Sequence, residues 1–467
     1  MGDARAVLTK HPLEERASQD PSRPGYHFLP PANWMNDPCG LIQWRGQYHL
    51  FYQYNPNGPS HSTIHWGHAV SSDLVHWTHL PIALAPTPGG ADEDGCWTGC
   101  AVDHDGVPTL FYTGVHPQTV CLATGSNNLV TWQKCEANPV IAAPPPDVRD
   151  RAGGHFRDPY LWKDDGWWYL IIGSRVEDAG GMILLYRSPD LVHWEYLHPL
   201  MAGDVHGQDP CTAGRMWECP NLFRLGDRHV LLFSIQATAY DHLYPVYHVG
   251  TYKHQQFVPE TGGILVHGDF YAPQVMHLDD GRRILWGWIE EGRSQRASER
   301  VGWAGVMSLP LALKLQLDGR VAVEPVPELQ ALRGEHWRFD DLELPPLRGG
   351  SGTGDGDSSE PRGGVRGDCL EILADFELGK RAEFGLGLRC SPNGQEQTRV
   401  VYQAAQGKII VERDDSSSSP EVERGERTAP VELAASESLK LHIFLDRSVL
   451  EILCNAGRTC LATRIYP

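Results

Sequence analysis

The sequence predicts an all-β protein, a five-bladed β-propeller followed by a C-terminal β-sandwich. Three observations predict this fold class. A unit made of a turn glycine and an aromatic-rich strand recurs along the chain, and helical periodicity is weak throughout. The composition is rich in turn and aromatic residues, with 49 Gly, 35 Pro, 15 Trp and 16 Tyr among 467 residues. Such a composition is typical of many short strands joined by tight turns.

The repeated unit begins with a glycine and continues into an apolar strand. Its five copies are GQYHLFYQY from Gly46, GVPTLFYTG from Gly106, GWWYLIIGS from Gly166, GDRHVLLFS from Gly226 and GRRILWGWI from Gly281. The glycines are separated by 60, 60, 60 and 55 residues. Fixed spacing favours radial repetition in a propeller, because a sandwich has no reason to repeat regularly. Coincidental hairpins in one large sandwich remain the alternative.

The regular spacing stops near residue 335, which divides the chain into three predicted segments. These are an N-terminal extension over residues 1–25, the propeller over 26–335 and the sandwich over 336–467. Within the last segment, residues 349–368 contain eight glycines and predict a flexible loop. The runs after it alternate between apolar and polar residues, as strands of a sandwich do. The charged, Ser-rich stretch 414–427 is interpreted as a solvated hairpin loop.

Charge and cysteine content exclude several classes of function. A net charge of −19 repels nucleic acids and anionic membranes, so neither is expected as a partner. The N-terminus lacks a basic flank followed by an apolar stretch, which favours a cytoplasmic protein. Eleven Cys without an export signal favour free thiols. No metal or cofactor is expected, and the oligomeric state stays open, with the sandwich offering surface for a dimer.

Three acidic residues occupy similar places in the repeats. Asp37 lies nine residues before its turn glycine, and Asp158 and Glu218 lie eight residues before theirs. The other two copies have Thr98 and Pro273 at this place. Radial symmetry would bring such positions together at one mouth of a central channel, and acids converging there indicate chemistry rather than stability. Alternatively, each acid is a turn cap at the start of a strand.

Two carboxylates in an aromatic-lined funnel meet the requirements of glycoside hydrolysis. One acid protonates the leaving oxygen while the other attacks the sugar or activates water. Sugars also stack on indole rings and need polar partners for their hydroxyl groups. Residues that could supply both are Trp34, Asn36, Gln53, Trp66, Trp97 and Trp288. Any of these tryptophans is equally well explained as core.

Seven blocks of sequence resemble the signature motifs of glycoside hydrolase family 32, which contains invertases, levanases, inulinases and sucrose-6-phosphate hydrolases. The blocks are WMNDPCG (34–40), FYQYNP (51–56), HWGHA (65–69), FRDP (156–159), WECP (217–220), DFYAPQ (269–274) and GWAGVMSLP (302–310). The resemblance extends from about Asn33 to Pro467. The chain departs from the pattern at Cys39, where the family usually has Asn, and this leaves the shape of the first subsite in doubt.

The resemblance implies a retaining β-fructosidase acting on a small sugar such as sucrose. Asp37 would be the nucleophile, Glu218 the acid and base, and Asp158 the stabiliser of the transition state. The residues implied to line the fructosyl subsite are Asn36, Gln53, Trp66, Trp97, Thr98, Arg157, Tyr271 and Trp288. Arg157 and Asp158 are adjacent, and a regular strand would point them to opposite faces. If both touch the sugar, the backbone before Pro159 must be irregular.

Three other functions fit parts of the sequence. A fructosyltransferase would use the same covalent intermediate and pass the fructosyl group to a sugar instead of water. A non-catalytic carbohydrate-binding propeller would be expected to have lost one of the three acids. An inverting glycosidase would need more room between its acids. Whether the substrate carries a 6-phosphate is also left open.

Overall fold

The computed structural model of the chain describes residues 12–148, 155–176, 179–237, 243–342, 365–377, 383–434 and 436–467. Strands dominate this part, with two short α-helices, α1 (Pro12–Ser18) and α2 (Gln295–Val301), and 3-10 turns at Pro146–Val148 and Pro327–Leu332. The prediction of a mostly β protein with few helices is confirmed. Residues 1–11 of the predicted extension and 349–364 of the predicted glycine-rich loop lie outside the described residues. None of the described helices is both long and apolar enough to cross a bilayer.

Five antiparallel sheets follow one another along residues 33–325. The first contains β1 (Asn33–Trp44), β2 (Gln47–Asn55), β3 (His65–Ser71) and β4 (Trp77–Leu84). The second contains β5 (Cys96–His104), β6 (Val107–Gly114), β7 (Thr119–Gly125) and β8 (Trp132–Lys134). The third contains β9 (Phe156–Asp164), β10 (Trp167–Val176), β11 (Gly180–Ser188) and β12 (Glu195–Ala202). The fourth contains β13 (Met216–Leu225), β14 (Arg228–Gln236), β15 (Leu243–Lys253) and β16 (Gln256–Ile264).

The fifth sheet is interrupted by short strands and by α2. In chain order, this region contains β17 (His267–Gly268), β18 (Phe270–His277), β19 (Arg283–Ile289), β20 (Trp303–Ala304), β21 (Val306–Met307), β22 (Leu311–Leu315) and β23 (Val321–Pro325). The sheet itself runs β18, β19, β22, β23, with β21 also paired to β19. β20 instead pairs in parallel with β1, so this late segment closes onto the first sheet.

The repeated glycines lie in the turns that connect the first two strands of each sheet. Gly46, Gly106, Gly166, Gly226 and Gly281 all have left-handed φ values, between 63° and 90°. Three of these turns place a second residue with positive φ before the glycine, as type I′ hairpins require. A Cβ at these positions would meet open space, except for an ordinary van der Waals contact at Gly226. Glycine recurs there because of backbone conformation and not because of crowding.

The first strands of the five sheets are neighbours in a continuous order. β1 contacts β5, β5 contacts β9, β9 contacts β13, β13 contacts β18, and β18 contacts β1. These strands are largely buried, so their side chains pack between the sheets or against the neighbouring first strands. Residues on the first strands therefore come close together although about 60 residues of chain separate them.

The C-terminal part consists of two sheets with a shared apolar core. Its strands are β24 (Cys369–Phe376), β25 (Glu383–Leu388), β26 (Thr398–Gln403), β27 (Lys408–Glu412), β28 (Arg427–Pro430), β29 (Leu439–Asp446), β30 (Val449–Cys454) and β31 (Thr459–Arg464). One sheet runs β24, β29, β30, β31 and continues into β17, and the other runs β25 to β28. Val400, Val411, Ile443 and Ile452 are among the buried residues that pack between them.

The prediction that residues 414–427 form a solvated loop is wrong for part of the stretch. Ser416 and Ser417 are buried, and Glu421 and Glu423 share backbone hydrogen bonds with residues 292 and 294 of the preceding domain. The loop is held because the buried guanidinium of Arg413, at its start, bonds to backbone carbonyls of the loop. The polar residues of this loop therefore make a contact between the two parts of the chain. Composition alone does not reveal such a contact.

Candidate active site

Three acidic side chains from different sheets meet at the first strands. The link between them is Cys219, the residue after Glu218. Its backbone N–H donates a 2.9 Å hydrogen bond to Oδ2 of Asp158. Its thiol lies 3.5 Å from that same oxygen and 3.7 Å from Oδ2 of Asp37. The carboxyl groups of Asp37, Asp158 and Glu218, which the sequence predicted as the site, thus belong to one cluster.

Asp37 is held by two donors from its own sheet and one from the second sheet. Asn36 donates to Oδ1 at 3.1 Å, while Gln53 and Thr98 donate to Oδ2 at 3.2 and 2.5 Å. Burial raises the pKa of Asp37 to about 6, against the hydrogen bond from Thr98, which lowers it, and with the charge of Glu218, which raises it. Above pH 6 the group is therefore an oriented carboxylate, as a nucleophile must be.

Asp158 lies deeper than Asp37, with 3% of its surface exposed. Its backbone N–H donates to Thr113, and that threonine donates in turn to the carbonyl of Thr98. Burial raises the pKa of Asp158 to about 7; the nearby Arg157 lowers it, and the charges of Glu218 and Asp37 raise it. Like charges this close oppose each other's ionisation, so the acids of the cluster titrate as a coupled group.

Glu218 is held at both carboxylate oxygens. Arg157 donates to Oε1 from Nε at 2.9 Å and from Nη2 at 2.5 Å, and the hydroxyl of Tyr271 donates to Oε2. Arg157 is itself buried and also contacts Gln118 and His155. These contacts fix the orientation of the glutamate, which a general acid needs before substrate arrives.

The backbone at the cluster departs from regular strand geometry. Asp158, Cys219 and Ala272 each precede a proline and each have positive φ, at 68°, 50° and 49°. At the same three places, the register between the first and the second strand of the sheet shifts. Left-handed conformations of non-glycine residues cost about 1 to 3 kcal/mol each and cluster at functional sites. The irregularity expected before Pro159 is present, and Arg157 and Asp158 both reach the acid cluster although they are adjacent in the chain.

The strand pairings show which positions are structurally equivalent. Arg157, Glu218 and Tyr271 are each the last paired residue before the shift, whereas Asp158 lies within it. Counting residues back from the turn glycine had instead matched Asp158 with Glu218, and had placed Pro273 in the fifth copy. Arg157 and Tyr271 both contact Glu218, because the three residues occupy the same backbone position on neighbouring strands.

Four partly exposed aromatic rings form a rim beside the acids: Trp34, His61, Trp97 and Trp288, hereafter the aromatic rim. The centroid of the Trp34 ring lies 5.7 Å from that of Trp288 and 6.2 Å from that of His61, and His61 lies 5.8 Å from Trp97. Trp34 also donates to Asn36, which contacts Asp37. His61 was not predicted from the sequence, where it lies in a polar stretch without a recognisable pattern.

The predicted substrate-binding residues Trp66 and Gln53 differ in whether they reach the acid cluster. Trp66 is fully buried against Phe51 and Tyr112 and donates to the carbonyl of Trp97. The structure therefore does not bring Trp66 to the rim, and its indole packs behind Trp97. Gln53 does reach the cluster, and its Oε1 is buried without a hydrogen-bond partner among the described residues.

Cys39 lies beneath the acid cluster. Its side chain is fully buried and its Sγ is 3.5 Å from the carbonyl oxygen of Asp37. Burial raises the pKa of this thiol well above its usual range, with a further rise from the charge of Asp37. A protonated, buried thiol is unreactive, so Cys39 fills space behind Asp37 and does not offer a nucleophile. Among the described residues, no group of His, Cys, Asp and Glu is placed to hold a metal ion.

Comparison with known proteins assigns the chain to a family. The model of the N-terminal domain of glycosyl hydrolases family 32 matches residues 27–325, and the model of the C-terminal part of that family matches residues 328–467. The chain belongs to glycoside hydrolase family 32. The family predicted from the seven sequence blocks is therefore confirmed, and the acid cluster lies on strands within the matched N-terminal domain.

Individual members of family 32 are similar over nearly the whole chain. A protein named sucrose-6-phosphate hydrolase from Zymomonas mobilis is 38% identical, with 95% of this chain and 87% of the relative covered. A protein named raffinose invertase from Escherichia coli is 34% identical, with 95% and 89% covered. The crystal structure of a variant of fructan 1-exohydrolase IIa from Cichorium intybus in complex with 1-kestose superimposes with a TM-score of 0.82 at 29% identity, with 96% of this chain and 92% of that chain covered. The TM-score for the crystal structure of fructan 1-exohydrolase IIa itself is 0.81.

Proposed function

We propose that this family 32 enzyme hydrolyses terminal β-fructofuranosidic bonds in sucrose or short fructosides and retains the configuration at the anomeric carbon. The names of its relatives, a raffinose invertase and a sucrose-6-phosphate hydrolase, support a fructosyl substrate. The observation that carries the proposal is the contact of Cys219 with both Asp37 and Asp158, which brings two carboxyl groups to the residue beside Glu218. Three acids from three sheets thereby lie in one cluster.

Each acid is assigned the role that its family 32 motif implies. Asp37, ionised above pH 6 and oriented by Asn36, Gln53 and Thr98, attacks C2 of the fructosyl unit and forms a covalent intermediate. Glu218 gives a proton to the oxygen of the departing sugar and then takes one from the attacking water. Asp158 binds fructosyl hydroxyl groups as positive charge develops on the ring.

The proposed architecture of the site is the central funnel of a five-bladed propeller, with the C-terminal sheets as an appended sandwich. Two observations support it. Five antiparallel sheets of at least four strands occur in succession, and their first strands are neighbours in a continuous order. The C-terminal sheets share an apolar core of their own. The aromatic rim then surrounds the mouth of the funnel, where it can stack against sugar rings.

The proposal is tested by the products that purified protein forms from sucrose in water with added methanol. Retention predicts glucose, fructose and methyl β-fructofuranoside, because methanol attacks the covalent intermediate from the same face as water. Methyl α-fructofuranoside would contradict the retaining mechanism. Oligosaccharides longer than sucrose as the main product would show a transferase, and no release from sucrose, sucrose 6-phosphate or inulin would contradict the function.

The hydrogen bond from Thr98 to Asp37 lowers the pH at which the acid limb of the pH profile is expected. Since the pKa of Asp37 is about 6 and activity needs its carboxylate, kcat/KM is expected to fall as the pH drops below about 6. Thr98→Val removes a donor that lowers this pKa, so the acid limb should move to higher pH. Thr98→Ser keeps the hydroxyl and serves as the control. Identical acid limbs in the wild type and Thr98→Val would show that Asp37 does not control this limb.

A further inference from the structure

Asn221 is a fully buried polar residue on β13, three positions after Glu218. Its side-chain amide bonds to backbone groups of two strands. Nδ2 donates to the carbonyl of Cys219 at 2.9 Å and to the carbonyl of Pro273 at 3.2 Å, and Oδ1 accepts from the backbone N–H of Val275 at 3.1 Å. The orientation of the amide is fixed, because turning it over would point its oxygen at two carbonyls.

The hydrogen bonds of Asn221 lie where two first strands leave regular pairing. Asn221 is the first residue of β13 to pair again after the register shift that follows Glu218. The two carbonyls that it binds lie inside the shifts of β13 and β18. Backbone groups inside such a shift lose their regular partners in the sheet, and a buried carbonyl without a partner is costly. The amide of Asn221 therefore replaces hydrogen bonds that the two shifts remove.

Three hydrogen bonds tie the fourth sheet to the backbone beside Tyr271. The hydroxyl of Ser234, the residue that pairs with Glu218, accepts a 3.2 Å hydrogen bond from the N–H of Ala272. The carbonyl of the next residue and the N–H two residues further on bond to Asn221. Two of the three bonds therefore depend on Asn221, which also holds the carbonyl of the residue directly after Glu218.

The two strands that Asn221 joins carry Glu218 and its partner Tyr271, each directly before its register shift. The hydroxyl of Tyr271 donates to Oε2 of Glu218. A general acid must lie within hydrogen-bond reach of the departing oxygen, and a displacement of about 1 Å can cost about 100-fold in rate. We propose that Asn221 is a positioning residue for acid catalysis, because it ties the strand of Tyr271 to that of Glu218 and so fixes the orientation of the glutamate. This inference rests on the proposed function and adds a residue to its acid step.

A comparison of two substrates tests the inference. The glucose of sucrose needs a proton from Glu218 in order to depart, whereas p-nitrophenyl β-fructofuranoside releases a nitrophenolate that needs none. The value of kcat/KM reports only the steps up to formation of the covalent intermediate, so the later action of Glu218 on water does not affect it. Asn221→Ala should lower kcat/KM by about 10- to 100-fold for sucrose and by less than about threefold for the nitrophenyl fructoside.

Further variants show whether the effect passes through the tyrosine. Tyr271→Phe removes the hydroxyl that bonds to Glu218, so it should cause the same selective loss for sucrose. If Asn221 acts by placing that hydroxyl, the double variant should lose no more than about threefold beyond the larger single loss, since coupled residues are not additive. As a control, Asn455→Ala removes another buried amide that bonds to backbone groups, in the C-terminal sheets, and should leave both kcat/KM values unchanged.

The outcomes separate the inference from the proposed function. If the wild type releases fructose from neither substrate, the proposed function fails. If Asn221→Ala lowers kcat/KM equally for both substrates or for neither, or if the two losses multiply in the double variant, only the inference is overturned. Thermal denaturation shows whether Asn221→Ala is folded. If it is not, Asn221→Ser, which keeps one hydrogen-bonding group, repeats the comparison with the same expected selective loss.

Discussion

Replacing Asp37 with alanine is expected to lower kcat for sucrose by about 10⁴-fold or more, because no covalent intermediate can form without the attacking carboxylate. Glu218→Ala is expected to lower it by about 10³- to 10⁴-fold, since the departing sugar then leaves without a proton. The measurement is the initial rate of fructose release. Asp164→Ala changes an exposed acid on the strand that carries Asp158 and should leave the rate unchanged.

Rescue by azide distinguishes the two roles. With a fructoside whose leaving group needs no proton, Glu218→Ala should still form the intermediate, and azide should convert it to the β-fructosyl azide. Asp37→Ala should form no product with that configuration, because azide can displace the leaving group only from the face that Asp37 occupied, and this gives the α-fructosyl azide. A β-fructosyl azide from Asp37→Ala would show that another group is the nucleophile. If both variants lose all activity and azide restores none in Glu218→Ala, the assignment of Glu218 is contradicted.

Much of the fold could be predicted because its signals are local. Each repeated glycine is required by the left-handed φ of a turn, so the requirement appears in the sequence at that position. The acids could be predicted for a similar reason. Asp37, Asp158 and Glu218 each lie in a short motif beside a proline, and they recur near the same distance from the turn glycine.

What the sequence could not show depends on strand register and on distant contacts. Pro273 was matched with the acids, yet Tyr271 is the residue that reaches Glu218, because the strand shifts its pairing at Ala272 and Pro273. A shift of this kind changes which residue faces the site, and it cannot be detected by counting residues along the sequence. Trp66 and Trp97 likewise look alike in the sequence, and only packing against Phe51 and Tyr112 makes Trp66 a core residue.

A second large effect is expected at the contact between the N-terminal segment and the C-terminal sheets. The carboxylate of Asp446 accepts hydrogen bonds from the backbone N–H groups of Gly25, Tyr26 and His27 and from the ring of His27. The other ring nitrogen of His27 bonds to Glu451 at 2.9 Å. Asp446→Ala leaves these buried donors without a partner, and removing one member of a buried ion pair costs about 3 to 5 kcal/mol of unfolding free energy. Denaturation by urea measures this loss.

The pH dependence of that loss identifies the ion pair as its cause. Burial lowers the pKa of His27, but the hydrogen bonds to Asp446 and Glu451 outweigh it and raise the pKa to about 9 in the folded protein, against 6.5 as the usual value. The stabilisation is complete below pH 6.5 and is lost as the pH rises through 9, so the wild type should approach Asp446→Ala in stability over that range.

Asp375→Ala removes an exposed acid that faces Lys440 at 3.7 Å, and it should cost less than about 1 kcal/mol at every pH. A difference between the wild type and Asp446→Ala that stays constant from pH 6.5 to 9 would assign the loss to the backbone hydrogen bonds alone.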